Sequence, residues 1–252
     1  MPSPPGAPGP SAPPLEDLPD TEAALRDLVR HRRAAPLRRG AVPPPVELIA
    51  IGASAGGVDA LMRLLAVLGP GFAPAIAVVL HIPEDRRSRL VEVFSHHCAL
   101  PVREAADKAP IQPGTVHFAG PGYHLSVERD RTFSLSCEPP VHYSRPSIDL
   151  LLESAAESFG PSCAAVLLTG ASEDGAVGLC RVGERGGLTA VQSPAEAQVP
   201  VMPAAALARC APDFVLPLAG IGRLLAALSA PAAPVPPPAP SPPTDPRTRR
   251  TA

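Results

Sequence analysis

The sequence has no uncharged apolar run of about 18 residues, the length a membrane-crossing helix needs, so no span is expected. It has no excess of charge of either sign: 22 Lys and Arg stand against 24 Asp and Glu, a net charge of −2. That balance removes the electrostatic case for binding nucleic acid or inserting at an anionic membrane. It has no CxxC pair. The five cysteines, Cys98, Cys137, Cys163, Cys180 and Cys210, are odd in number and widely spaced, so neither a metal site nor a disulfide framework is legible. Most lie in apolar segments, where a reduced cysteine acts as a small hydrophobe, and that usage suits the cytoplasm. The opening residues MPSPPGAPGPSAPP lack both the basic start and the apolar run of a secretory signal.

Proline is abundant, and its distribution marks boundaries. Residues 1–45 hold 12 of the 37 prolines and residues 231–252 hold 9. Such segments favour extended, solvated backbone and cannot build a core, so both ends, 1–45 and 230–252, are expected to be disordered tails. Within the first, LEDLPDTEAALRDLVRHRR has the apolar spacing Leu25, Leu28 and Val29 of a short helix. The local basic cluster Arg30, Arg32, Arg33, Arg38 and Arg39 reads as solvated tail rather than as a binding site. One folded domain is expected over 46–229, where a chain that is 45% hydrophobic can bury a real core.

Inside that span, apolar runs alternate with helical patterns. VELIAI, APAIAVVL, GTVHFAG, CAAVLLTG and GLTAVQS predict strands, and YHLSVERDRTFSLS predicts a hairpin turning near Arg129–Asp130. GVDALMRLLAVL, RSRLVEVFSHH, SIDLLLESAAESF (capped by Ser147), DGAVGLCRVGERG, MPAAALARC and GIGRLLAALSA predict helices. Strands such as AIAVVL are apolar throughout, not alternating, so both faces should be buried. The expected fold is α/β: a doubly wound, mostly parallel sheet flanked by helices, with a β-hairpin insertion. Ligands in such sheets sit at the carboxyl ends of the strands.

The first strand ends in Gly52-Ala53-Ser54-Ala55-Gly56-Gly57. A dinucleotide cradle needs glycine where Ser54 stands, and an acidic residue at the end of the next strand, where His81 stands. Both positions fail. The same residues satisfy G-x-S-x-G between a strand and a helix, which exposes a serine hydroxyl beside the positive end of that helix. A nucleophilic serine also needs a base and a group to orient it. His81 directly follows AIAVVL, and Asp174 follows CAAVLLTG, so three strand ends offer Ser54, His81 and Asp174 as catalytic candidates. Taken singly, the histidine reads as a partly exposed polar residue and the aspartate as a helix cap; together with the serine turn they read as a triad. No histidine follows Asp174, which excludes the Ser–Asp–His order of α/β-hydrolases, but a triad is defined by geometry and not by order.

IAIGASAGGVDAL, VVLHIP and VLLTGASEDGAVGL resemble the three catalytic blocks of the chemotaxis protein-glutamate methylesterases, the CheB type. GTVHFAGPGYHL, RPSIDLLLESAA and GLTAVQSPAEAQVPVMPAAAL resemble further blocks in the same order, so the resemblance covers roughly 46–229. It implies hydrolysis of γ-glutamyl methyl esters on a methylated chemoreceptor or similar signalling protein, with release of methanol and often glutamine deamidation. It implies Ser54 as nucleophile, His81 as base and then acid, and Asp174 as its orienter, with no cofactor and no metal.

Departures stand beside it. Only 45 proline-rich residues precede the esterase span, too few for the receiver domain common in the family. Ala171 replaces the family's methionine near the oxyanion site. Arg86 and Arg87 replace residues of the loop after the histidine, where with Arg89 they are expected to flank the cleft. A non-catalytic docking module of a chemotaxis-like complex is the alternative function. A small-molecule esterase has no cap-like insertion to support it. Oligomeric state is not legible.

Overall fold

A computed structural model of the chain describes residues 17–34, 42–81 and 89–229. Seven strands form one parallel sheet: β1 (Leu48–Ala53), β2 (Ala75–Leu80), β3 (Val102–Glu104), β4 (Val116–Phe118), β7 (Cys163–Leu167), β8 (Leu188–Gln192) and β9 (Phe214–Leu216), in the order β3-β4-β2-β1-β7-β8-β9. β5 (His124–Val127) and β6 (Phe133–Ser136) pair antiparallel as the expected hairpin. The edge strands β3 and β9, only three residues each, escape a reading by periodicity because they are too short to show one.

The central strands are buried on both faces, as their unbroken apolar runs require. Ile49 and Ile51 of β1 point into one core, with Leu61, Leu64 and Leu65 of α2 (Gly57–Ala66) and Ile221, Leu224 and Leu225 of α7 (Leu218–Leu228). Leu48 and Ala50 point into the other, with α4 (Ile148–Phe159), α5 (Ala176–Glu184) and α6 (Val201–Arg209). α3 (Leu90–Ser95) packs near β3 and completes the set with α1 (Glu22–Ala34). α4 starts as read: Ser147 Oγ accepts the Leu150 N–H.

The chain leaves β1 towards β2 and β4, then returns on the other side of β1 as β7. The strand order therefore reverses between β1 and β7, which opens a crevice at their carboxyl ends.

Two expectations are corrected. Residues 17–34 are not a free tail. Leu25 and Val29 of α1 are buried in the α2–α7 core, and an Arg33 guanidinium N–H donates to the carbonyl of Pro161 at 2.7 Å. The helix packs because its 3.6-residue spacing gives one apolar stripe, which proline on either side does not abolish. The remainder of the expected tails, 1–16, 35–41 and 230–252, lies outside the described residues. Cys180 and Cys210 form a disulfide with Cα atoms 5.8 Å apart. They are 30 residues apart in sequence, and only the packing of α5 against α6 makes them neighbours. Among the described residues no helix is long and apolar enough to cross a membrane.

Candidate active site

β1, β2 and β7 lie side by side, and each of the three candidate residues follows one of them. Ala53 pairs with Leu80 across β1 and β2, so Ser54 and His81 are the next residues on adjacent strands. The His81 N–H donates to Ala53 O at 3.0 Å and ties the two strand ends together. The Ser54 N–H donates to Thr169 O, just beyond β7, at 3.0 Å.

The serine turn is tight because its neighbours are small. Gly56 has φ +79°, and a Cβ there would meet Gln198 Oε1 at 2.6 Å, so only glycine fits. A Cβ on Gly170 would stand 2.9 Å from Ser54 Cβ and 2.6 Å from Met202 Cε; the missing side chain lets the two loops touch. Thr169 braces them: its hydroxyl donates to Ala55 O at 2.9 Å and accepts the Val199 N–H at 2.9 Å, while Gln192 Oε1 holds the Thr169 N–H. Among the described residues, Ser54 Oγ has no hydrogen-bond partner, and the N–H groups of Ala55 and Ala171 have no acceptor.

Asp174 is fully buried and His81 is nearly so, and Nε2 of His81 lies 2.9 Å from Asp174 Oδ2. Asp174 does not cap its own helix. The N-cap of α5 is Gly175, at φ +97°, with no side-chain cap. Asp174 instead reaches the start of α4, accepting the Ile148 N–H at 2.7 Å, the Asp149 N–H at 2.9 Å and the Ser147 hydroxyl at 2.9 Å. Burial pushes its carboxyl up, but the hydrogen bonds from His81 and from the α4 backbone outweigh this and hold it below the usual carboxylate range. The α4 N-terminus favours the same charge. Because an ionised carboxylate only accepts, Nε2 of His81 carries a proton, and in the neutral ring Nδ1 is the acceptor.

Spacing alone missed four neighbours. Ser144 Oγ lies 3.4 Å from His81 Nδ1. His142 sits between Asp149 Oδ2, at 3.7 Å, and Glu173 Oε1, at 3.5 Å. Asp149 Oδ1 accepts the Gly178 N–H at 2.7 Å. Thr169 is the fourth. Only Thr169, in its Thr-Gly pair after a strand, left a sequence signal. Of the loop arginines, Arg86 and Arg87 lie outside the described residues, and Arg89 is paired with Glu92 at 2.7 Å on α3. Among the described residues no group of three or more His, Cys, Asp or Glu is arranged to hold a metal.

Comparison with known proteins identifies the family and the fold. The family model "CheB methylesterase" matches residues 49–225. A relative from Leptospira interrogans is 40% identical over 182 residues, covering 72% of this chain and 94% of that one. The protein-glutamate methylesterase FrzG of Myxococcus xanthus is 42% identical over 188 residues, covering 75% of this chain and 56% of its own length. The catalytic domain of Thermotoga maritima CheB methylesterase superposes with a TM-score of 0.70 at 30% identity, covering 72% of this chain and 98% of that one.

Proposed function

The chain belongs to the CheB methylesterase family, and we propose that it hydrolyses γ-glutamyl methyl esters on a methylated chemoreceptor or related signalling protein through Ser54, His81 and Asp174. The observation that carries the residue assignment is the hydrogen bond between the buried Asp174 and the part-buried His81, one strand away from the Ser54 turn. A buried carboxylate is costly unless its charge is used or well paired, and a docking module has no need of one aimed at a histidine.

The chemistry follows from the atoms. Nδ1 of His81 takes the Ser54 proton as Oγ attacks the ester carbonyl. Asp174 keeps the ring in the required tautomer through Nε2–H and stabilises the imidazolium that forms. The N–H groups of Ala55 and Ala171, which have no acceptor among the described residues, are the donors suited to the developing oxyanion. Since Ala171 would contribute only its backbone, replacement of the family methionine leaves that donor intact. Collapse of the tetrahedral intermediate expels the methoxy oxygen, which takes the proton from Nδ1 and leaves as methanol. Water, deprotonated by the same nitrogen, then releases the glutamate. A glutamine side chain fits the same steps with ammonia as leaving group, which accounts for the paired activity in relatives named methylesterase and glutaminase. Ser54 Oγ has no partner among the described residues, and catalytic hydrogen bonds often close only when substrate binds.

We take the cytoplasm as the site of action. The free Cys98 and the buried, free Cys163 suit it, whereas the Cys180–Cys210 bond is unusual there.

The test is release of labelled methanol from methylated receptor membranes. The wild-type protein should release it and Ser54→Ala should not, with the variant's fold unchanged because the Cβ packed on Gly170 remains. Turnover by well-folded Ser54→Ala would reject the assignment.

A further inference from the structure

The turn before α4 has an unusual conformation. Val141 and Ser144 form a bridge, Val141 N–H to Ser144 O at 3.1 Å and Ser144 N–H to Val141 O at 2.8 Å. The two residues between them, His142 and Tyr143, both have left-handed backbone, φ +46° and +61°. This is the conformation a two-residue hairpin turn normally reserves for asparagine and glycine. Here a histidine and a fully exposed tyrosine adopt it, at a cost that sites of function commonly carry. The result of the turn is the position of Ser144, whose hydroxyl reaches Nδ1 of His81, the nitrogen that Asp174 leaves free.

We propose that Ser144 is a positioning residue for the general base, donating its hydroxyl proton to Nδ1 of His81 in the resting site. The imidazole is then held at both ends, by Asp174 on Nε2 and by Ser144 on Nδ1. Ser54, which has no partner among the described residues, displaces the Ser144 hydroxyl when substrate brings it into line. The long 3.4 Å separation suits a bond that must be given up in each cycle. The His142 ring, between Asp149 and Glu173, anchors the turn to α4 and to the loop that carries Asp174.

Among the described residues Asp174 touches this ring, and His142 lies between Asp149 and Glu173. Arg145 is turned towards the carbonyls of Cys137 and Glu138.

The inference rests on His81 acting as the base, and its test is readable without turnover. In protein carrying ¹⁵N-histidine, at a pH where the ring is neutral, the Nδ1 resonance of His81 should move in Ser144→Ala towards that of an unbonded ring nitrogen. Ser144→Thr, which keeps the hydroxyl, should restore it. In kinetics, Ser144→Ala should lower kcat several-fold and leave KM unchanged. An unmoved Nδ1 resonance in Ser144→Ala overturns the inference. So does a raised KM with an unchanged kcat, which would make Ser144 a substrate contact. If the resonance moves as expected but Ser54→Ala still turns over, the catalytic assignment fails and the Ser144–His81 bond stands.

Discussion

Asp174 Oδ2 lies 2.9 Å from Nε2 of His81, and the same carboxylate accepts the first two N–H groups of α4. The acid that orients the proposed base thus also anchors the helix behind it, across a sequence gap of 93 residues.

Asp174→Asn should therefore fail twice. Each carboxylate oxygen accepts two donors, Ser147 Oγ and Asp149 N on Oδ1, His81 Nε2 and Ile148 N on Oδ2. An amide nitrogen in either place faces donors. Turnover should fall by about 10⁴, the scale known for this change in a serine protease triad, and stability should fall by about 1–3 kcal/mol. Glu173→Gln, at an exposed neighbour, is the control in both methanol release and urea melts. Equal behaviour of the two variants would show that Asp174 orients nothing.

Asp149 should set part of the stability-versus-pH curve. Burial, with the Asp174 charge adding to it, pushes its carboxyl up to about 6, against the opposing Gly178 N–H bond. A carboxyl raised above its unfolded value of 3.8 favours the protonated folded state, so its contribution is full below that value and is lost as pH rises through about 6. Asp149→Asn keeps an acceptor for Gly178 and cannot ionise. Its urea midpoint should fall less than wild type's between pH 4 and pH 6. Parallel curves for the two proteins would contradict the assignment.

Removal of α1 should destabilise the domain. Leu25 is 2% exposed in the core formed with α7. Leu25→Ala should cost about 2–4 kcal/mol, and deletion of residues 1–45 should lower the melting temperature further, with the catalytic residues untouched. An unchanged melting temperature on deletion would mean that the helix contributes no stability to the domain.

Reduction should weaken the α5–α6 pair. A disulfide closing a loop of 30 residues stabilises by about 3.6 kcal/mol on the chain-entropy estimate. The Cys180→Ser, Cys210→Ser double variant should melt lower than the untreated protein and at the same temperature as protein held in reductant. A double variant as stable as untreated wild type would show that the bond carries no weight.

The sequence by itself determined the features that local chemistry encodes. Unbroken apolar runs marked β1, β2 and β7 as strands buried on both faces. Small residues after β1 marked the Ser54 turn, and the order of strand ends marked His81 and Asp174. The apolar stripe of α1 was equally legible, but whether it was covered was not, because a stripe shows what must be buried and not what buries it. Tertiary structure alone decided the rest. It turned Asp174 from a candidate cap of α5 into the acceptor at the start of α4, joined Cys180 to Cys210, brought Ser144 to Nδ1 of His81 and ordered the three-residue edge strands. These relationships link residues from 25 to 93 positions apart or involve strands too short to show a pattern. Periodicity and turn chemistry act over a few residues, whereas such contacts are fixed only when the sheet stacks its strand ends side by side.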